Sequence, residues 1–296
     1  MYGEITELLA CPICKSKMKL GKVFVKEGEE IIEGTIKCEN KHKFYIKYGV
    51  LDFHFKENRN IRNFTELYLE KNFALIDENI ENNTPKNLKK INDECKNEIV
   101  RVICKKDYKY ILDIASGRGI ALEEMAKNLS KDKYVISADI NFAALKYNRL
   151  KNKKYNPKCK MNYIACDCES IPFLNNSIEC IVSFYGFPNM LKGHSEAIKE
   201  SFRVLKSRGR VLDSRILVSD KDEYFNKIKE TSINQLNFLN PEDILVGERV
   251  AKLYKNIGFS DIKIEKIWQS IGEENIIDLV PVKGQKFKIS LLSCKK

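Results

Sequence analysis

From Lys109 to its end, the chain alternates apolar runs short enough to be strands with longer stretches of helical spacing. No other feature limits the fold as tightly. The runs are YILDIA, YVISAD, NYIAC, IECIVSF, RVLDSRIL, DIKIEKI and FKISLLSC, seven in all. Between them stand ALEEMAKNL, FAALKYNRL, SEAIKESFRVLK and EDILVGERVAKLYKNIG, the last closed by Gly258 in the position of a helix C-cap. A strand followed by a helix, repeated, needs crossover connections, which places parallel strands side by side with helices on both faces. The expectation is therefore an α/β, Rossmann-like sheet of seven strands over 109–296.

The first 57 residues have another character. Val23, Val25, Ile32, Thr35, Ile36, Phe44, Ile46 and Val50 are separated by glycine-containing turns, as in a small antiparallel ribbon. Cys11 and Cys14 bracket CPIC, and Cys38 and His42 bracket CENKH. Two such knuckles can supply three thiolates and one imidazole in the tetrahedral arrangement of a structural zinc ion, with His54 a competing fourth ligand. So small a unit buries little apolar surface, and metal would supply stability its core cannot. Between the ribbon and the sheet, 58–108 reads as a helical linker together with the first helices of the unit that carries the sheet. Ile61, Phe64, Tyr68 and Leu75 fall near helical spacing over 60–80. A second helix is capped by Thr84, has Pro85 in its first turn, and lines one face with Leu88, Ile91, Cys95, Ile99, Val102 and Ile103.

The strongest chemical signal is YILDIASGRG, residues 110–119, at the junction of a strand and a helix. Gly117 and Gly119 allow a tight turn and a close backbone approach to a ligand. Asp113 sits at the strand's C-terminal end, the edge where open α/β sheets bind ligands. The next strand ends in Asp139, placed for two ribose hydroxyls, and the third in Cys166, Asp167 and Cys168, which offer a carboxylate to an adenine amino group.

DIASGRG resembles the first motif of class I S-adenosylmethionine (SAM)-dependent methyltransferases, with Ala115 where that family more often has glycine. CDCESIPFLNNSIECIVSFYGFPNM, ESFRVLKSRGRVL and YKNIGFSDIKIEK are similar, in order, to the family's later strands, so the likeness to methyltransferase-11-type domains runs over about 60–296. The resemblance implies that Asp113, Gly117 and Gly119 surround the methionine part of SAM, Asp139 its ribose, and Asp167 with Cys168 its adenine. Ala115, Ile140 and Ser183 complete the implied set. A dehydrogenase would want a third glycine where Leu122 stands, and radical chemistry would want a Cys-x3-Cys-x2-Cys run that the sequence lacks. The ribbon resembles the N-terminal zinc ribbon of bacterial 23S rRNA guanine methyltransferases, and also the zinc-ribbon activators that partner methyltransferases. FYGFPNM is closer to small-molecule and quinone-type members.

A methyl acceptor is thus expected, and the sequence leaves it open. The net charge of +11 suits an rRNA partner, although a chain rich in Lys, Asn and Ile reaches that charge without one. Lys146, Arg149, Lys151, Lys153, Lys154, Lys158 and Lys160, with Tyr147, Tyr155 and Tyr163 among them, form a basic, aromatic run of the kind that tracks a nucleic-acid backbone or simply solvates a helix; Lys37, Lys41, Lys43 and Lys47 add a second basic surface. Three functions stay in view: methylation of an rRNA base, methylation of a quinone- or natural-product-type small molecule, and a non-catalytic SAM-binding zinc-ribbon adaptor. Tyr185, Asn189 and His194, beside the fourth strand of the sheet, are the candidate acceptor-orienting or base residues. Cys166, Cys168 and Cys180 read as packing residues. Ten cysteines without an apolar leader fit a reduced, cytoplasmic setting, and no run is long enough for a membrane span.

Overall fold

The structure is a computed structural model that describes residues 1–54, 73–275 and 278–296. Its strands are β1 (Met18–Glu27), β2 (Glu30–Cys38), β3 (Lys43–Lys47), β4 (Val50–Asp52), β5 (Tyr110–Ile114), β6 (Tyr134–Asp139), β7 (Lys160–Ala165), β8 (Ile178–Phe184), β9 (Leu205–Leu217), β10 (Ser260–Ile271) and β11 (Lys286–Lys295). The described helices are α1 (Phe73–Asn83), α2 (Lys86–Cys104), α3 (Ile120–Asn128), α4 (Phe142–Lys153), the short α5 (Gly186–Asn189), α6 (His194–Val204), α7 (Glu223–Leu236), the short α8 (Glu242–Leu245) and α9 (Gly247–Ile257).

All seven expected strands form, in the order β7-β6-β5-β8-β9-β11-β10. The chain steps from β5 outward to β7, then crosses back to β8 on the other side of β5. This reversal opens a crevice at the C-terminal ends of β5 and its neighbours. Strand parity divides the core: Leu112, Ile114, Ile136, Ala138 and Ile164 face one side, whereas Ile111, Val135, Tyr163, Ala165 and Val182 face the other.

The sheet does not stop at seven strands. β1 to β4 form an antiparallel meander, and β4 then pairs in parallel with β7, so the ribbon extends the same sheet to eleven strands. The pairing follows from apolar surface on both units: Ile36, Phe44, Ile46, Leu51 and Phe53 share one core with Leu112, Ile136 and Ile164. A seven-stranded sheet with an appended module is corrected to one continuous sheet.

The helices carry further differences. Leu88, Ile91, Cys95, Ile99 and Ile103 are buried along α2, but Thr84 does not cap it; its hydroxyl donates to the Ile80 carbonyl, 2.7 Å away, and Pro85 holds the N-cap position. The periodic stretch that begins at Glu242 is two helices broken at Val246, and Gly258 closes α9 with φ 116° as expected. α7, absent from the sequence reading, is capped by Asp222, whose carboxylate accepts from the Tyr224 N–H at 2.9 Å. Of the helix expected over 60–80, Ile61, Phe64 and Tyr68 lie outside the described residues, and Leu75 falls in α1. Among the described residues, no helix is long and apolar enough to cross a membrane.

Candidate functional site

The turn after β5 is built from left-handed backbone: φ is 50° at Ala115, 47° at Gly117 and 70° at Gly119, which caps α3. Glycine adopts this region freely; alanine does so at a cost of about 1–2 kcal/mol. Space also demands glycine at 119, where a Cβ would stand 2.8 Å from the Asn148 side-chain amide. Asn148, on α4, donates to the Gly117 carbonyl at 2.8 Å and fixes the turn from outside.

Asp139 ends β6 with one carboxylate oxygen accepting from the Gly117 N–H and the other from the Asn141 N–H, both at 2.8 Å. The expected strand-end acid and the expected glycine therefore meet directly. Burial raises the Asp139 pKa, and the N–H groups of Asn141 and Gly117 and the charge of His54 partly offset that rise. Asp113 is more exceptional: it is 1% exposed, and neither carboxylate oxygen has a hydrogen-bond partner among the described residues. Burial, then the neighbouring Asp139, pushes its pKa well above the ordinary carboxylate range. A fully buried carboxyl with no donor is costly unless a ligand supplies one.

Ile140 lies half-buried just beyond Asp139. Just past the end of β7, Asp167 is exposed and accepts from the Glu169 N–H at 2.8 Å, shaping a single turn over Cys168–Ser170. Cys168 is buried with its thiol 3.9 Å from the Ala138 carbonyl; Cys166 and Cys180 are buried packing residues as expected. Ser183 sits beneath the loop after β8, fully buried, and its hydroxyl accepts from the Phe187 N–H at 2.9 Å. Tyr185 has φ 57° and donates its hydroxyl to the Asn92 side chain on α2 at 2.9 Å; burial raises its pKa well above that of a free phenol. Asn189 is exposed at the end of α5. His194 opens α6 in the interior, with Nδ1 2.5 Å from the Leu191 carbonyl oxygen and no partner at Nε2 among the described residues. Burial lowers its pKa, so its neutral form is favoured.

Where β1 begins and β2 ends, Cys11, Cys14, Cys38 and His42 bring four ligand atoms within 4.8 Å of one another. Cys14 Sγ lies 3.7 Å from Cys38 Sγ, and His42 Nδ1 lies 3.5 Å from Cys11 Sγ and 3.4 Å from Cys38 Sγ. Zinc–thiolate bonds of about 2.3 Å put tetrahedral sulfur pairs about 3.8 Å apart, so the cluster has the size of a zinc site. The local fold makes it: in the first knuckle Cys11 N donates to Ser16 O, in the second Cys38 N donates to His42 O, and Lys15 and Lys41 take left-handed conformations with φ 60° and 66°. His54 is not in this cluster. Its Nδ1 lies 2.9 Å from the Asp52 carboxylate instead.

The basic run of α4 and β7 is largely consumed inside the protein. Arg149 is buried and donates to Glu30 at 2.7 Å and 2.9 Å, Lys160 donates to Glu4 at 2.6 Å, and Tyr163 is 1% exposed. Lys151 and the Tyr147 hydroxyl both reach Asp77 of α1, at 2.8 Å and 2.9 Å, and Arg118 of the glycine turn donates to the same carboxylate at 2.5 Å. Asp77 thus ties α1 to the site. Nothing in its neighbourhood of sequence marks it, because its three partners come from 118, 147 and 151.

Residues 112–212 match the family model described as "Methyltransferase domain". Over 102 residues the chain is 33% identical to the ubiquinone/menaquinone biosynthesis C-methyltransferase UbiE of Edwardsiella ictaluri and 31% identical to that of Haemophilus ducreyi. These matches cover 34% of this chain and 40% and 39% of those relatives, so the chain spans well under half of their length. Among solved structures, MccD protein aligns with 72% of this chain and 100% of its own at TM-score 0.53 and 17% identity. The YcgJ protein of Bacillus subtilis aligns with 68% of this chain and 97% of its own at TM-score 0.52 and 14% identity, a likeness of fold. The segment 112–212, which matches the methyltransferase-domain model, holds the glycine turn, Asp139 and the loop after β8.

Proposed function

We propose that the chain is a SAM-dependent methyltransferase acting on a small-molecule acceptor. The observation that carries this reading is the pair of acids at the glycine turn: Asp139 braced by two backbone N–H groups, and Asp113 buried with both oxygens unpartnered among the described residues. This donor-starved carboxyl fits a cationic ligand carrying N–H groups, and the glycine backbone beside it leaves room for one. In this reading Asp113, Ala115, Gly117 and Gly119 take the amino-acid end of SAM, Asp139 and Ile140 the ribose, and Asp167 and Cys168 the adenine. Bound SAM supplies an electrophilic methyl group on a sulfonium.

The chain's own contribution is mainly positioning, which suffices for an in-line displacement. Tyr185, held by Asn92, and Ser183, spent on the Phe187 N–H, fix the loop that would face the methyl group. Asn189, exposed at that loop's end, is the residue there free to meet an acceptor. His194, neutral by burial and held at Nδ1, would act only on a proton brought to Nε2. The similarity to quinone C-methyltransferases and the internal use of the basic run support a small acceptor.

The Cys11, Cys14, Cys38 and His42 cluster would hold one zinc ion in a structural role, since three thiolates and an imidazole leave no open position. One observation favours an RNA base as acceptor: β3 presents Lys43, Tyr45 and Lys47 outward, with Phe24 and Tyr48 also exposed. Incubation with methyl-labelled SAM and separate pools of metabolites, RNA and protein distinguishes the readings. Label in the metabolite pool alone is expected; label in RNA would move the acceptor to a nucleobase, and label in no pool would favour a SAM-binding adaptor.

A further inference from the structure

β4 belongs to two structures at once. It is the last strand of the metal-binding ribbon, paired antiparallel with β3, and it is also the strand that lies parallel to β7 of the methyltransferase sheet. Its C-terminal end therefore comes out on the ligand-binding edge. Asp52 is in register with Ala165, and Ala165 is in register with Asp139, so the three residues form one row across β4, β7 and β6. With neighbouring strands about 4.8 Å apart, the row is about 10 Å wide, less than the length of a nucleoside with its tail. The Phe53 N–H donates to the Ala165 carbonyl at 2.9 Å and holds the chain against that edge as it leaves β4.

His54 follows at once. Asp52 accepts from both its backbone N–H, at 3.0 Å, and its Nδ1, at 2.9 Å, which locks the ring and directs Nε2 away from Asp52. Nε2 is buried and has no partner among the described residues. The imidazole is near enough to Asp139 to act on that carboxylate electrostatically, although it comes from a different unit of the chain. A ring oriented by a carboxylate, its far nitrogen without a partner among the described residues and on the same sheet edge as the acid that ends β6, resembles a ligand-binding arrangement more than a packing one.

We infer that His54 binds the nucleoside half of SAM, so that the metal-binding ribbon contributes a residue to the cofactor site. The inference rests on the methyltransferase reading of the site and adds to it a contact from outside the matched domain, which begins at 112.

Calorimetric titration of the zinc-loaded full chain with SAM, and separately with methylthioadenosine, tests it. The variants are His54→Phe, which keeps a ring of similar size, and Asp113→Asn, which acts at the other end of the ligand. In His54→Phe both ligands should weaken by tenfold or more, with zinc content and melting temperature unchanged. Asp113→Asn should weaken SAM far more than methylthioadenosine. If His54→Phe binds both ligands within twofold of the wild type, His54 is not a cofactor residue. His54→Gln, which retains a polar atom near the Nε2 position, should recover part of the affinity, whereas a Gln variant as weak as the Phe variant would overturn a hydrogen-bonding role. Should the wild-type chain bind neither ligand, the methyltransferase reading itself fails, a result distinct from a loss confined to the variant.

Discussion

At the scale of single residues, Asp113 is the most informative. Its carboxyl is fully buried and, among the described residues, unpartnered, so its neutral form is favoured in the folded chain and its folded pKa is raised. The unfolded chain, with an ordinary pKa of about 3.9, gives up that proton sooner. As pH rises from about 4 through the folded value, the folded state therefore binds more protons than the unfolded one, and stability is lost. Asp113→Asn should remove this loss. Denaturant unfolding at pH 7 should show the variant more stable by about 1–3 kcal/mol, with a flatter stability profile above pH 4. A variant less stable than the wild type at pH 7 would show that the carboxylate has partners after all. The position of this residue was legible because strand, turn and helix are all marked in YILDIASGRG, and so was Asp139, one strand on. Ser183 and His194 were less legible. Both sit where the chain order predicts, but the depth of their burial depends on α6 and the loop after β8, which no local pattern fixes.

Among elements, α1 is tied to the site through Asp77, with Glu81 also reaching Arg118 at 3.3 Å and Phe73 packed on Tyr147. Asp77 meets Arg118, Lys151 and the Tyr147 hydroxyl, with its own side chain 8% exposed. Burial raises its pKa, and Lys151 and Arg118 more than reverse that, leaving it below the usual carboxylate range. Asp77→Asn would leave two cations facing an amide. The partners are partly solvated, so the expected cost is about 2 kcal/mol, less than the loss of a fully buried pair. Amide exchange should quicken in α1 and the glycine turn together; unchanged exchange in both would show that α1 docks by apolar contact alone. The basic run misled for the same reason: Lys151, Arg149 and Lys160 are spaced as a solvated face, but their acids come from α1, β2 and the N-terminal turn. α7 escaped the sequence reading because few of its side chains are buried, Phe225, Ile228 and Ser232, too sparse a stripe to read.

For the whole molecule, the sequence marks two units, yet the structure joins them through one β-pairing and one core. That join was not legible, because β4 is only three residues long and its partner, β7, lies more than a hundred residues away. Because the core is shared, metal loss should be felt beyond the ribbon. Chelation, or His42→Ala, should lower a single melting transition by at least about 5 °C and weaken SAM binding. Two separate transitions, with the later one unmoved, would mean that the ribbon folds apart from the sheet.

The proposed activity requires SAM to occupy the edge formed by the glycine turn, Asp113 and Asp139. Equilibrium titration of the wild-type chain and of Asp139→Ala with SAM, both zinc-loaded, tests this directly. The expected result is one SAM bound per wild-type chain, with affinity falling by at least tenfold in a variant that still folds. A wild-type chain that binds no SAM, or an Asp139→Ala variant that binds it as well as the wild type, would contradict the account.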